Sequence, residues 1–422
     1  MLDRTQAPSV QQVQKISLPP IEKFSLPGGG NLYAYPEKNT EAFRIELLTK
    51  GSNLNAQNAA EVQLAIKMLL EGTNRYSGAQ LSEKIDELGS FVEITPGFDH
   101  SSISIYGLKK HFNENIGLLS DIIYESSFHD QALNTLKEKE QNRLKLNMQK
   151  GSYTSSINLR NALFKDHPYG YRLYPSDINS INSQQLQTFH KNYTCSFDIF
   201  LSGDLPSNYY QIVSGYFSKR QPEVPKQFET PSFKESNAPK DTSHRDSKFV
   251  QSSIKLGKRL FTRSSPDYFR FMVANELLGG FFGSRLMKNI REDKGYTYGI
   301  YSSLYPLNHS GYFVISTDVK AEYEQETIRE IYKEIKRLQE EPVSAQELEV
   351  VKNYMIGNYL NAISSPFSII TKYKTLATQS LPTDFYNNYL EAINNTSRED
   401  IQDVLSTHLQ TESLTRSISG FI

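Results

Sequence analysis

Apolar residues recur at three- and four-residue spacing through Phe112, Ile116, Leu119 and Ile123, and again through Ile328, Ile331, Ile335 and Leu338. Stripes of that period predict amphipathic helices turned toward a core. A period of two, in which polar and apolar positions alternate, predicts strands over 102–106 and 311–317. A second helix is expected after each stripe. One runs from about 130 to 148. The other starts at the capping-box pattern of Ser344 and Glu347 and carries Leu348, Val351, Met355 and Tyr359 on one face. Segments 31–35 and 43–48 read as strands flanking a polar turn, after a loop at Pro27–Gly30. That loop lacks the GxxxxGK[ST] spacing of a phosphate cradle and reads as a turn.

The two sets of elements form an internal repeat. Gly89 before 89–94 answers Gly295 before 295–300, Ile116 answers Ile328, and 198–203 answers 415–420. Spacing between partners grows from 206 to 217 residues along the chain, as small loop insertions in one ancestral unit would produce. Each half reads as strand pair, helix, helix, strands, helix, helix, strand. That order predicts an α+β fold of two homologous domains, each a mostly antiparallel sheet covered by helices on one side. The stretch 219–248, rich in Pro, Ser and charge, is expected to be an extended linker between domains at 1–218 and 249–422.

Composition narrows the classes. The chain has 422 residues, 38% hydrophobic and 22% charged, with a net charge of −1. These values fit a globular protein and disfavour nucleic acid as a partner, which needs clustered Lys and Arg. No run of about 18 apolar residues predicts a membrane span. The N-terminus lacks the apolar segment of a secretory signal, so a cytoplasmic location is expected, or a periplasmic one if a leader was trimmed. The single Cys195 excludes an intrachain disulfide and reads as a small buried residue. As a catalytic thiol it would need a His and an orienting Asn or Asp beside it.

Residues 277–298 read LLGGFFGSRLMKNIREDKGYTY. A glycine-rich turn (Gly279, Gly280, Gly283) leads to a helix carrying Ser284, Arg285 and Leu286. It ends at 291–295, and a strand is expected from about Tyr296. This order resembles the C-terminal signature of the M16 peptidases, the pitrilysin, insulinase and mitochondrial processing peptidase superfamily. The resemblance runs from about Ile21 to Ile422 and includes the phrases ELLTKGS at 46–52, MLLEGT at 68–73 and HPYG at 167–170. It implies two related domains that face each other like a clamshell around a chamber. It also implies that Arg291 and Tyr298 help hold substrate at a zinc centre built elsewhere.

Active members carry H-x-x-E-H on a helix before a phrase like MLLEGT. Two His four residues apart reach one Zn²⁺, and the Glu serves as general base for its bound water. Aligned on that phrase, the motif falls on Gln63, Ile66 and Lys67. Gln is a weak zinc ligand, Ile accepts no proton, and Lys67 brings a positive charge to the metal's place. The family's third ligand, a Glu, falls near Arg143, where Glu140 is the closest carboxylate and reads as one solvated charge among many. None of the eight His lies three to five residues from another, so no cofactor is expected on this chain.

The resemblance thus implies a non-catalytic partner in a heterodimer. A catalytic M16 subunit with intact HxxEH would supply zinc and base, and this chain would supply Arg291 and Tyr298. Preorganised N–H and O–H donors lower the barrier to attack on a peptide carbonyl. Taken singly, Arg291 reads as a cation answering the helix dipole before the Gly295 stop, and Tyr298 as a core aromatic on a strand. The whole phrase favours the functional pair. A peptide or unfolded polypeptide would bind as an added strand, with Gly89, Ser90, Phe91, Val92 and Glu93 as the candidate edge. Alternatives are a structural subunit like the core proteins of the respiratory bc1 complex, and a stand-alone peptide-binding homodimer.

Overall fold

The computed structural model describes residues 13, 16–223, 233 and 240–421. Its first sheet contains β1 (Glu22–Ser25), β2 (Asn31–Pro36), β3 (Ala42–Thr49), β4 (Phe91–Thr95), β5 (Ser101–Leu108) and β6 (Phe197–Gly203), in the order β1-β2-β6-β3-β5-β4. The second contains β7 (Thr242–Arg245), β8 (Ser252–Leu260), β9 (Ile300–Pro306), β10 (Gly311–Val319) and β11 (Thr415–Gly420), in the order β7-β11-β8-β10-β9. The run β2-β6-β3-β5-β4 has the same plan as the second sheet. In each, one pair is parallel (β2 with β6, β7 with β11) and the rest antiparallel. The expected α+β class with mostly antiparallel sheets is what the chain forms.

Local chemistry explains where elements stop. Gly29 and Gly30 adopt φ of 110° and 74° in the tight turn joining β1 to β2. Gly89 and Gly295, partners in the repeat, both lie at left-handed φ, 57° and 68°, just past a helix end. There the Tyr296 N–H reaches back to the Ile290 carbonyl at 3.0 Å and closes the helix terminus. Helix Asp130–Met148 has the predicted bounds, and Ser344 caps helix Ala345–Asn361 by accepting the Glu347 N–H at 3.1 Å. Both predicted apolar stripes are buried, on helices Phe112–Tyr124 and Glu324–Glu340.

Three expectations change. The sheets are covered on both faces, because each half holds a further helix, after the second helix pair, that packs on the other half's sheet. Helix Gly151–Phe164 lies on β8 and β11, and helix Pro366–Thr378 on β2 and β6. Gly257 of β8 makes room for this: a Cβ there would lie 2.9 Å from Leu159 Cδ2 and 2.7 Å from the Phe313 carbonyl oxygen. Second, β7 falls inside 219–248, so the second sheet begins within the stretch assigned to a linker. Its Arg245 makes a bidentate pair with Glu324 at 2.7 and 2.8 Å. Much of the remaining stretch lies outside the described residues. Third, the strand expected from Tyr296 starts at Ile300. Thr297 Oγ1 accepts the Gly299 N–H at 3.1 Å and lies 2.9 Å from the Asp318 carbonyl, so a side chain satisfies backbone groups that strand pairing would otherwise use.

Candidate functional site

Helix Ala59–Met68 starts at Asn58, whose side chain accepts the Ala60 and Glu61 N–H groups at 2.9 and 3.1 Å. The helix packs against Asp130–Met148. Ile66 is fully buried in the first core, whereas Gln63 and Lys67 meet residues of the facing helix. Lys67 Nζ lies 2.7 Å from Glu140 Oε1. Arg143 pairs with the other Glu140 oxygen and donates to Gln63 Oε1 at 3.2 Å. Burial lowers the Lys67 ammonium below its usual range, and Glu140 opposes that shift.

Glu140 is therefore not a solvated member of a charge run. It is buried, and it binds the ammonium of the residue aligned with the second His. The charge pattern of 137–145 concealed this, because which face of a helix meets a neighbour is set by tertiary packing. Zn²⁺ does not fit this group: two cations already satisfy the one carboxylate, and neither Lys67 nor Arg143 offers a lone pair. Among the described residues, no three His, Cys, Asp or Glu side chains gather as a metal site.

A structural pair has a testable energetic signature. Glu140→Gln is expected to destabilise the chain by about 1–3 kcal/mol, since it leaves two cations adjacent. The double change Lys67→Met with Glu140→Leu is expected to restore most of that loss. Urea unfolding of the three proteins checks it, and an unchanged midpoint for Glu140→Gln would deny the pair a structural role.

Arg291 lies in a π-helical segment, Met287–Asp293. Its guanidinium sits 4.5 Å from the centroid of the exposed Phe282 ring, and its nearest carboxylate, Glu292, is 4.0 Å away. Tyr298 stands outside β9, 95% exposed. It is not a core aromatic on a strand: β9 begins two residues later, at Ile300, and the preceding segment meets β10 through the Thr297 hydroxyl instead of a backbone ladder. Among the described residues neither side chain has a hydrogen bond beyond the long Glu292 contact. The neighbouring Arg285 is committed, with both ends of a fork on Glu347 at 2.9 Å. Asn289 bonds Glu330 and Glu334 at 2.9 and 2.7 Å. These groups line a cavity of about 870 Å³ whose charges largely satisfy one another.

Of the proposed peptide edge, Phe91, Val92 and Glu93 lie in β4, the last strand of its sheet, hydrogen-bonded on one side to β5. Gly89 and Ser90 precede the strand. Phe91 is 62% exposed, with its ring 6.1 Å from that of Tyr106.

Cys195 does meet a histidine: its Sγ is 3.3 Å from His190 Nε2. Burial pushes the thiol up to about 12 and the imidazole down to about 4, and among the described residues His190 Nδ1 has no partner. A thiolate–imidazolium pair needs the opposite shifts and an orienting carboxylate or amide. His167 caps a turn over Pro168–Gly170, its Nδ1 accepting the Tyr169 N–H at 3.1 Å, and burial lowers it to about 4. A contact between halves that sequence reading missed lies beside it. Tyr169 bonds Asp99 through its hydroxyl, and Asp99 Oδ2 accepts the Asn308 N–H at 3.0 Å.

The family model described as the peptidase M16 inactive domain matches residues 180–355. The chain is 23% identical to the uncharacterized zinc protease YmxG of Bacillus subtilis, over 72% of this chain and 75% of that one. It is also 23% identical to the non-peptidase homolog YmxG of Helicobacter pylori, over 87% and 86%. Its fold is similar to the crystal structure of a peptidase M16 inactive domain from Pseudomonas fluorescens. The TM-score is 0.85 at 21% identity, covering 96% of this chain and 98% of that one. Among the described residues, no helix is long and apolar enough to cross a membrane.

Proposed function

We propose that this chain, similar to the M16 inactive-domain family and its non-peptidase homologues, is a non-catalytic member of that superfamily and serves as the inactive subunit of a heterodimeric zinc endopeptidase. In this reading a partner with an intact HxxEH motif holds the zinc, and this chain lends Arg291 and Tyr298 to substrate at that site. The observation that carries it is a contrast within one molecule. Lys67 is consumed by an ion pair with Glu140, Gln63 by a hydrogen bond from Arg143, and Ile66 is buried in the core, while the Arg291 guanidinium and the Tyr298 hydroxyl have no hydrogen-bond partner among the described residues.

The chemistry is suited to that division. Attack on a peptide carbonyl builds negative charge on oxygen, and a guanidinium and a phenol are donors with no proton-transfer duty of their own. The open side of β4 supports the companion reading, that an extended peptide adds to the sheet there and crosses a chamber closed by the two halves as a clamshell. The two domains, split near 219–248, would be the walls of that chamber.

Metal analysis and a peptide-cleavage assay test the proposal. The chain alone is expected to carry no stoichiometric zinc and to cleave nothing, and mixing with an HxxEH partner is expected to yield a stable 1:1 complex that hydrolyses peptides. Activity of the lone chain accompanied by bound zinc would refute it. So would a native mass showing only homodimers in the presence of that partner.

A further inference from the structure

Helices Asp130–Met148 and Gly151–Phe164, with the turn leading to Pro175, enclose a cavity of about 460 Å³. Its walls are mainly apolar, from Leu144, Met148, Ile157 and Leu173, and its charged lining residues are Lys145 and Arg172. Among the described residues, no carboxylate lines it. Among the described residues neither Lys145 nor Arg172 has an ion-pair partner, and the Arg172 guanidinium lies 5.4 Å from the Tyr174 ring centroid instead. The adjacent acid, Asp177, is engaged at the Tyr174 N–H at 3.3 Å.

One turn along from Ile157, Arg160 adds to the same field. Among the described residues its Nε is buried without an acceptor, and its Nη2 reaches the Tyr171 carbonyl at 3.4 Å. The charges of Arg143, Arg160 and Arg172 all act on the Tyr153 phenol, opposing the rise that burial causes. An apolar hole with a cationic rim and no internal counter-charge is complementary to an apolar group that carries an anion.

We propose that this cavity receives the C-terminal residue of a peptide, its apolar side chain among Leu144, Met148 and Ile157 and its α-carboxylate on Arg172 and Lys145. The size fits one or two side chains, and Asn142 on the wall offers an amide to the peptide backbone. The lining helix is the one whose Glu140 meets Lys67, one residue before Gln141 of the cavity wall. The inference rests on the peptide-binding reading above and adds a substrate class to it: chains with a free C-terminus and an apolar last residue.

Fluorescence anisotropy with the full chain tests it, using one labelled peptide ending in leucine in two forms, free acid and amide. The acid is expected to bind about tenfold more tightly, the worth of one charge-assisted contact. Arg172→Gln, which changes a rim side chain and is checked for an unchanged melting temperature, is expected to bring the acid to within about twofold of the amide. Equal binding of acid and amide by the unaltered chain would overturn the proposal, and so would a tenfold preference that survives Arg172→Gln. A third form of the peptide, N-methylated at alternate amides, separates this from the strand-edge reading. If methylation abolishes binding while acid and amide are equivalent, the edge stands and the cavity proposal falls. If no peptide binds but decanoate does so in an Arg172-dependent way, the occupant is a free fatty carboxylate and the proposal also falls.

Discussion

Arg291→Ala is expected to reduce hydrolysis by the mixed complex about 10²- to 10³-fold in kcat, the loss seen when one preorganised donor to a developing oxyanion is removed. Tyr298→Phe deletes one hydroxyl and is expected to show a loss of the same kind. The fold of each variant should be unaffected. Tyr298 is 95% exposed, and Arg291 contributes only a ring contact with Phe282 and a long approach to Glu292. Steady-state kinetics with a saturating HxxEH partner separates the outcomes. A fall in kcat with KM little changed means the donors act mainly in the transition state. A rise in KM alone would make them binding residues. Full activity in both variants would assign the pair to packing or inheritance and favour a structural subunit.

Glu46→Gln is expected to cost about 3–5 kcal/mol of stability, the penalty for removing one partner of a buried ion pair. Glu46 is 2% exposed on β3 of the first half. It accepts Lys374 Nζ at 2.8 and 3.0 Å from helix Pro366–Thr378 of the second half, and Arg44 at 2.8 Å. Without the carboxylate, two cations face each other between the halves, next to the small apolar contact of Leu48, Phe200 and Ile370. Calorimetry should show a transition lowered by roughly 10 °C for a unit of this size. The double change Glu46→Leu with Lys374→Met should recover part of it, leaving Arg44 as the remaining cost. A loss below about 1 kcal/mol would mean that water or side-chain movement rescues the cations, as it does for exposed pairs.

Much of the fold was legible because its determinants are local. The cap at Ser344, the repeated glycines at 89 and 295, and apolar stripes such as Ile328 to Leu338 each act through neighbours three or four residues away. The duplication was readable for the same reason, since both copies kept those local signals. The reading of Gln63, Ile66 and Lys67 as an altered zinc motif likewise needed only residue types.

What only the tertiary structure decided is where surfaces meet. Helix Gly151–Phe164 buries Thr154, Ser155, Ile157, Leu159 and Phe164, a set too polar and too widely spread to form the stripe that marks a core helix. It is ordered by the sheet of the other half. Glu140 looked like any acid among lysines until a second helix, 73 residues away in sequence, put Lys67 against it. Tyr298 had the spacing of a strand residue, yet in its segment the Thr297 hydroxyl takes the Gly299 N–H and the Asp318 carbonyl in place of strand pairing, and β9 begins only at Ile300. Short-range preferences fix helices, strands and their ends. Burial and pairing depend on contacts between residues far apart in sequence, and those arise only when the whole chain is packed.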